Sequence, residues 1–145
     1  MILNAFILLL TAHILGDIVF NSSRLAALKR TSTLFSQILG IGIHCGIHAF
    51  FAGLFLALAD GFWLRAIVLV FLFHFFIDTI HCRLDMKFFG ADRLYMDRSD
   101  FFDWIRGKRG EALKLNIKDL SPWIFINVFD QGSHLVSLYL IARAV

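Results

Sequence analysis

The 145-residue chain has a single proline, only two cysteines and few charged side chains, 17% of the total. So little proline leaves long helices unbroken. Cys45 and Cys82 are far apart with no CxxC pair, so no disulfide scaffold is built and two buried thiols remain. The marks of a cleaved leader are missing too. No basic residue precedes "ILNAFILLL" and no small-x-small pattern follows closely, so the first apolar run reads as a retained helix.

Apolar residues are what the chain has in excess. They make up 59% of it, with 17 phenylalanines and a mean hydropathy of +0.74, above the apolar share of about half found in soluble domains. Four runs, near 2–20, 34–58, 62–82 and 122–143, approach or exceed the roughly 20 residues needed to cross a bilayer. The expected fold is all-α: one integral membrane domain over 1–145, a four-helix transmembrane bundle with an amphipathic cytoplasmic segment, 83–121, between helices three and four.

The cations set an orientation. Arg24, Lys29 and Arg30 lie in the connection 21–33, and Arg83, Lys87, Arg93, Arg98, Arg106, Lys108, Arg109, Lys114 and Lys118 in 83–121, against Arg65 and Arg143 on the other side. Both long connections are therefore expected in the cytoplasm and both termini outside. The net charge of +3 reads as this topology signal, and nucleic acid is excluded as a partner. The basic segments can also rest on anionic headgroups.

Local signals divide the chain further. Gly40, Gly42, Gly46 and Gly53 make the second span rich in small residues, and Gly42 and Gly46, four apart, let another helix approach closely. "ADGFW" at 59–63 reads as a short outer turn with Trp63 as an interface anchor. Ser121 and Pro122 read as an N-cap and first helical residue, so the fourth helix is expected to start there, with Trp123 where it meets the bilayer. One or two amphipathic pieces are expected in 83–121, where Asp97, Asp100 and Asp103 lie among basic residues on a solvated face.

Polar residues inside the spans follow one rule. The first span has His13 and Asp17, the second His44 and His48, the third His74 and Asp78, the fourth Asp130 and His134. Each is an i, i+4 pair, which puts both side chains on one helix face. With the N-terminus outside, all four pairs fall between mid-membrane and the cytoplasmic leaflet, close enough to converge. A lone intramembrane histidine is explained as well by interhelical hydrogen bonding. Three aspartates without Lys or Arg at the same depth are not, because an ionised group there costs about 2.5–3.5 kcal/mol. Either they are protonated or a cation neutralises them, and five histidines in the same pattern favour metal. Eight nitrogen and oxygen donors suit two divalent ions, Zn, Fe or Mn, as in di-iron bundles whose ligands project inward from four helices. Some of the eight can instead orient a ligand through its other ring nitrogen.

His81 and Asp85 continue the third helix's face towards the cytoplasm and are candidates for proton acceptor or substrate contact, or else a polar helix end. Asn21 extends the first helix's face in the same way. Gln131, next to Asp130, is a further candidate for touching a ligand or the substrate. Lys29, Arg83 and Lys87, near the inner headgroups, could hold a phosphate or serve only as topology determinants.

"AHILGDIVFN" followed by Lys29, then "HCGIH", "HFFID" and "FDQGSH", resembles the bacterial membrane proteins grouped as the DUF3307 family. The resemblance covers the chain apart from 83–121 and places the protein in a bacterial inner (cytoplasmic) membrane. Asn21 stands where the family pattern has Gln, which keeps the amide but shortens its reach. The family has no assigned function; more distantly, the chain is similar to membrane-bound metal-dependent hydrolases that also place His and Asp in apolar spans. Three functions are thus expected to compete. The first is a metal-dependent hydrolase acting on a membrane lipid or other amphiphilic phosphate or acyl substrate from the cytoplasmic leaflet. The second is a divalent-metal or proton-coupled transporter, as a homo-oligomer. The third is a di-iron or haem redox protein. The outer halves of the spans are nearly devoid of ionisable residues, which counts against transport.

Overall fold

A computed structural model describes residues 2–31, 33–59, 63–89, 106 and 117–145, with backbone alone for residue 89 and for 117–123. Among them are α1 (Ile2–Ile14), a π-helical turn (Leu15–Val19), α2 (Ser23–Lys29), α3 (Leu34–Leu58), α4 (Trp63–Phe89) and α5 (Ile117–Ala144). Four stretches, Ile2–Val19, Leu34–Leu58, Trp63–Phe88 and Ile124–Ala144, are long and apolar enough to cross a membrane. The architecture is the all-α bundle of an integral membrane protein. Its long helices form a ring in which α1 packs on α3, α3 on α4, α4 on α5 and α5 back on α1. Neighbours alternate in direction: Phe6 in α1 meets Tyr139 late in α5, and Gly53 late in α3 faces Ile67 early in α4.

The interior is layered. At the end carrying both termini, Leu9, Ala12, Ala49, Ala52, Leu56, Ala66, Val70, Leu138, Ile141 and Ala142 form an apolar plug. Half of these are alanines, which lets the helices close tightly where no polar group is present to attract them. Below the plug lie the histidines and aspartates. On the far side of that layer Ile41, Cys45 and Cys82 make a second, small cluster. Several hydroxyls within the spans bond their own helix, as Thr79 Oγ1 donates to the Phe75 carbonyl at 2.7 Å and Ser133 Oγ to the Phe129 carbonyl at 2.7 Å, which satisfies them without water.

α2 shapes the far end. Ser22 caps it, its Oγ accepting from the Leu25 amide at 3.3 Å, and the helix folds back against α3. Gly40 is what admits it: a Cβ there would lie 2.8 Å from backbone atoms of Leu28 and Lys29. Gly42 and Gly46, expected to receive a neighbouring helix, have open space at that position instead. They stand on the outer side of α3, and the close approaches fall at Gly16, Gly40 and Gly53.

Two boundaries differ from expectation. α4 runs on to Phe89, past the expected end at 82, because nothing between Cys82 and Gly90 breaks a helix; residues 83–89 are thus helical continuation. The fourth helix begins at Ile117, before Ser121 and Pro122. A proline forfeits its own bond to the carbonyl four residues back, and here a turn of helix forms ahead of it all the same. Residues 60–62 of the turn expected at 59–63, and 90–105 and 107–116 of the segment 83–121 where amphipathic pieces are expected, with Asp97, Asp100 and Asp103, lie outside the described residues.

Gly40→Ala should lower stability by about 1–3 kcal/mol, since backbone must shift to make room. Gly46→Ala should leave stability unchanged or raise it by up to about 1 kcal/mol. Thermal unfolding in detergent checks the pair.

Candidate metal centre

The four i, i+4 pairs meet. His13, His44, His48, His74, Asp78 and His134 are all buried, with Asp130 at 9% exposure, while the Asp17 side chain retains 29%. Asp17 owes its position to the π turn, which widens the helix just after His13. Such turns are frequent at functional sites. Gly16 in the same turn is packed flat against the His48 ring, 2.3 Å from where its Cβ would be. A side chain at residue 16 would drive α1 and α3 apart.

Asp17 Oδ1 lies 3.2 Å from His44 Nε2 and 3.3 Å from His48 Nε2, and those two nitrogens are 3.2 Å apart. A tetrahedral ion bound at about 2.0–2.1 Å by imidazole nitrogens spaces its donors about 3.3 Å apart. This triangle therefore has the edge length of one face of such a site. The other Asp17 oxygen, Oδ2, faces His13 Nε2 at 3.3 Å.

Asp78 is arranged in the same two-sided way. Its Oδ1 faces His134 Nε2 at 3.2 Å and His74 Nε2 at 3.7 Å; its Oδ2 faces His44 Nε2 at 3.7 Å. Asp130 Oδ1 lies 3.5 Å from His134 Nε2. Three overlapping groups of donors result, each within 4.8 Å: Asp17 with His44, His48 and His74; His13 with His74 and His134; Asp78 with Asp130 and His134. Two carboxylates presenting one oxygen to each side suit a pair of ions.

The ring contacts argue for the same occupant. His48 stacks on His74 with centroids 3.9 Å apart, and His74 lies 4.0 Å from His134. Among the described residues, the Nδ1 atoms of His13, His44, His48 and His134, and Nε2 of His74, are buried without a hydrogen-bond partner. Buried polar atoms are nearly always paired, and a ligating imidazole usually donates its other ring N–H to a partner. Of these five nitrogens, the His74 Nε2 is the one that an ion among the aspartates would satisfy.

One feature overturns an expectation. The aspartates have a cation at their own depth, because Lys29 Nζ sits 3.2 Å from Asp78 Oδ2 with both side chains buried. The fold-back of α2 carries it inward, so Lys29 faces the cluster and not the headgroups. The next residue, Arg30, pairs in the same buried fashion with Asp85, which therefore closes off the layer rather than lining an open approach. Arg30 was legible only as a topology determinant, although a buried acid on α4's inner face needs such a partner.

The remaining candidates divide. His81 Nδ1 is 2.8 Å from Asp130 Oδ1, at the edge of the donor layer. Gln131 spans two of the candidate donors, its Oε1 3.4 Å from His13 Nε2 and its Nε2 donating to Asp130 Oδ2 at 3.2 Å. Asn21 is buried, but its Oδ1 has no hydrogen-bond partner among the described residues. Arg83 and Lys87 are exposed and take no part in the layer.

Lys29→Met should destabilise the protein by about 3–5 kcal/mol, because a buried carboxylate loses its partner. The same change should cost much less in an Asp78→Asn background, a coupling that a double-mutant unfolding cycle measures.

The family described as "Protein of unknown function (DUF3307)" matches residues 5–145, a continuous match that also takes in 83–121. No curated protein and no solved structure matches. All eight donors and, apart from the first three residues of α1, all four long helices fall within the matched residues, and the chain belongs to the DUF3307 family.

Proposed function

We propose that this protein is an intramembrane metal-dependent hydrolase, with two divalent ions held by the eight His and Asp donors and a lipid or other amphiphile as substrate. The observation that carries the reading is the donor geometry: the Asp17–His44–His48 triangle of 3.2, 3.3 and 3.2 Å, beside two carboxylates that each face histidines with both oxygens. Zn, Fe and Mn all suit a nitrogen and oxygen donor set. Bound there, such ions supply a water with a pKa near 7 and a Lewis acid for a phosphoryl or acyl oxygen.

The chain's own groups have matching roles. Asp130 Oδ1 lies 2.8 Å from His81 Nδ1, which puts that imidazole beside the donor layer, where it could accept or return a proton. Lys29, held on Asp78, adds fixed positive charge where negative charge would develop. The distribution of cations in the sequence supports a site facing the cytoplasmic half of the bilayer, with both termini outside, and the family resemblance implies that this bilayer is a bacterial inner membrane.

Specific observations weigh against the alternatives. Transport needs a polar route through the bundle, and the described residues on the termini side of the histidines pack into an apolar plug. Haem needs a gap between facing imidazoles, and the rings of the cluster stand only 3.9 to 5.4 Å apart.

Protein loaded in turn with Zn²⁺, Fe²⁺ and Mn²⁺ should hydrolyse a chromogenic alkyl phosphate or acyl ester in mixed micelles, and chelation should abolish the rate. His81→Ala should lower kcat by about 10²–10⁴-fold with bound metal unchanged. Metal-loaded protein inert towards both ester classes, yet passing metal across vesicle membranes, would replace this reading with transport.

A further inference from the structure

A lateral cavity of about 190 Å³ opens between α4 and α5. Its walls are Ile77, Ile80 and Leu84 from one helix and Ile126 and Phe129 from the other, and its lining also takes in His81 and Asp130. Phe129 and Ile80 are 57% and 39% exposed on the outer surface of the bundle, where a bilayer would bring hydrocarbon. The cavity is smaller than the about 300–1,000 Å³ of sites that enclose a whole ligand. It takes part of one.

We propose that this groove seats the hydrocarbon chain of a single-chain anionic amphiphile and delivers its phosphate-type headgroup to the donor layer. Three observations converge on that occupant. The walls are apolar while the lining includes the His81–Asp130 pair, 2.8 Å apart. A plain lipid chain would press methylenes onto that pair, whereas a chain with a polar end would meet it with a hydrogen-bonding group. Asp130 belongs at once to the groove and to the donor group with Asp78 and His134, so whatever lies against it is adjacent to the candidate ions. The third observation is charge, and it rests on the two-ion reading above. Among the described residues of the donor layer, Asp17, Asp78 and Asp130 would face Lys29 and two divalent ions, which leaves two positive charges for an anion to balance. A neutral ester headgroup would leave that excess uncompensated in a low-dielectric layer.

Photolabelling tests the groove and the charge separately. Protein in phosphatidylcholine vesicles is irradiated with dodecyl phosphate carrying a mid-chain diazirine, or with the matching dodecanol, and attachment sites are mapped by mass spectrometry. Labelling should concentrate on 76–84 and 126–133. Ile80→Trp should cut it, while Leu72→Trp, which adds the same ring on α4 outside the groove, should not. Phosphate should label roughly tenfold more than alcohol, the size of one good contact to a charged group, and chelation should erase that preference without moving the label.

Label spread evenly over the outward faces of α1 and α3, or indifferent to Ile80→Trp, overturns the chain site. Displacement by inorganic phosphate as effective as by unlabelled dodecyl phosphate overturns it as well, since the chain then contributes nothing. Groove labelling with equal yields from phosphate and alcohol upholds the chain site and overturns the anionic headgroup. Ion content of the same sample shows whether the two-ion reading has failed with it.

Discussion

Carboxylates in the middle of an apolar bundle have to be neutralised, and most of what is unusual here follows from that. Asp17, Asp78, Asp130 and Asp85 all sit inside the helical bundle, and the chain answers with two kinds of partner. Asp85 takes Arg30 in a buried ion pair. Asp78 takes Lys29 on one oxygen but keeps the other against His74 and His134. Asp17 takes no Lys or Arg in any ion pair seen here; three imidazoles surround it. An exposed pair contributes little to stability, whereas leaving one partner of a buried pair alone costs several kcal/mol. The donor layer is therefore short of positive charge, a shortage that a single divalent ion would offset.

The layering makes that shortage local. The alanine-rich plug closes the bundle on the termini side, and α2, seated on Gly40, brings Lys29 and Arg30 in from the other. Between them the layer reaches the surface at the π turn, where Asp17 is partly exposed, and along the groove between α4 and α5, where His81 and Asp130 lie. A polar centre with apolar packing on one side and buried ion pairs on the other is shielded from bulk water except at such openings. Within it, each charge interaction is stronger than it would be in water.

How much of this the sequence carried depends on how local each feature is. The pairs His13/Asp17, His44/His48, His74/Asp78 and Asp130/His134 are legible because helix periodicity alone puts residues four apart on one face. The bundle is legible because a bilayer leaves an apolar 20-residue run few other options. Lys29 misleads for the opposite reason: its position depends on a seven-residue helix folding back onto α3, a tertiary event fixed by Gly40 on another element. The glycines of α3 mislead likewise, since spacing marks Gly42 and Gly46 but only contacts reveal that Gly40 and Gly53 are the crowded ones. Nothing in the residue pattern marks the π turn, though a glycine beside an intramembrane aspartate was its one visible trace.

The central claim, that the eight donors hold metal, is tested most directly by counting ions. Protein purified in detergent without chelators, with its metal content measured by elemental analysis, should carry about two divalent ions per chain, as two-metal sites do. A His74→Ala/Asp78→Ala variant, which removes a histidine shared between two donor groups and the carboxylate that faces histidines with both oxygens, should be folded by circular dichroism and empty. Wild-type protein that is folded yet holds no metal, and takes up none when Zn²⁺, Fe²⁺ or Mn²⁺ is supplied, would contradict the account.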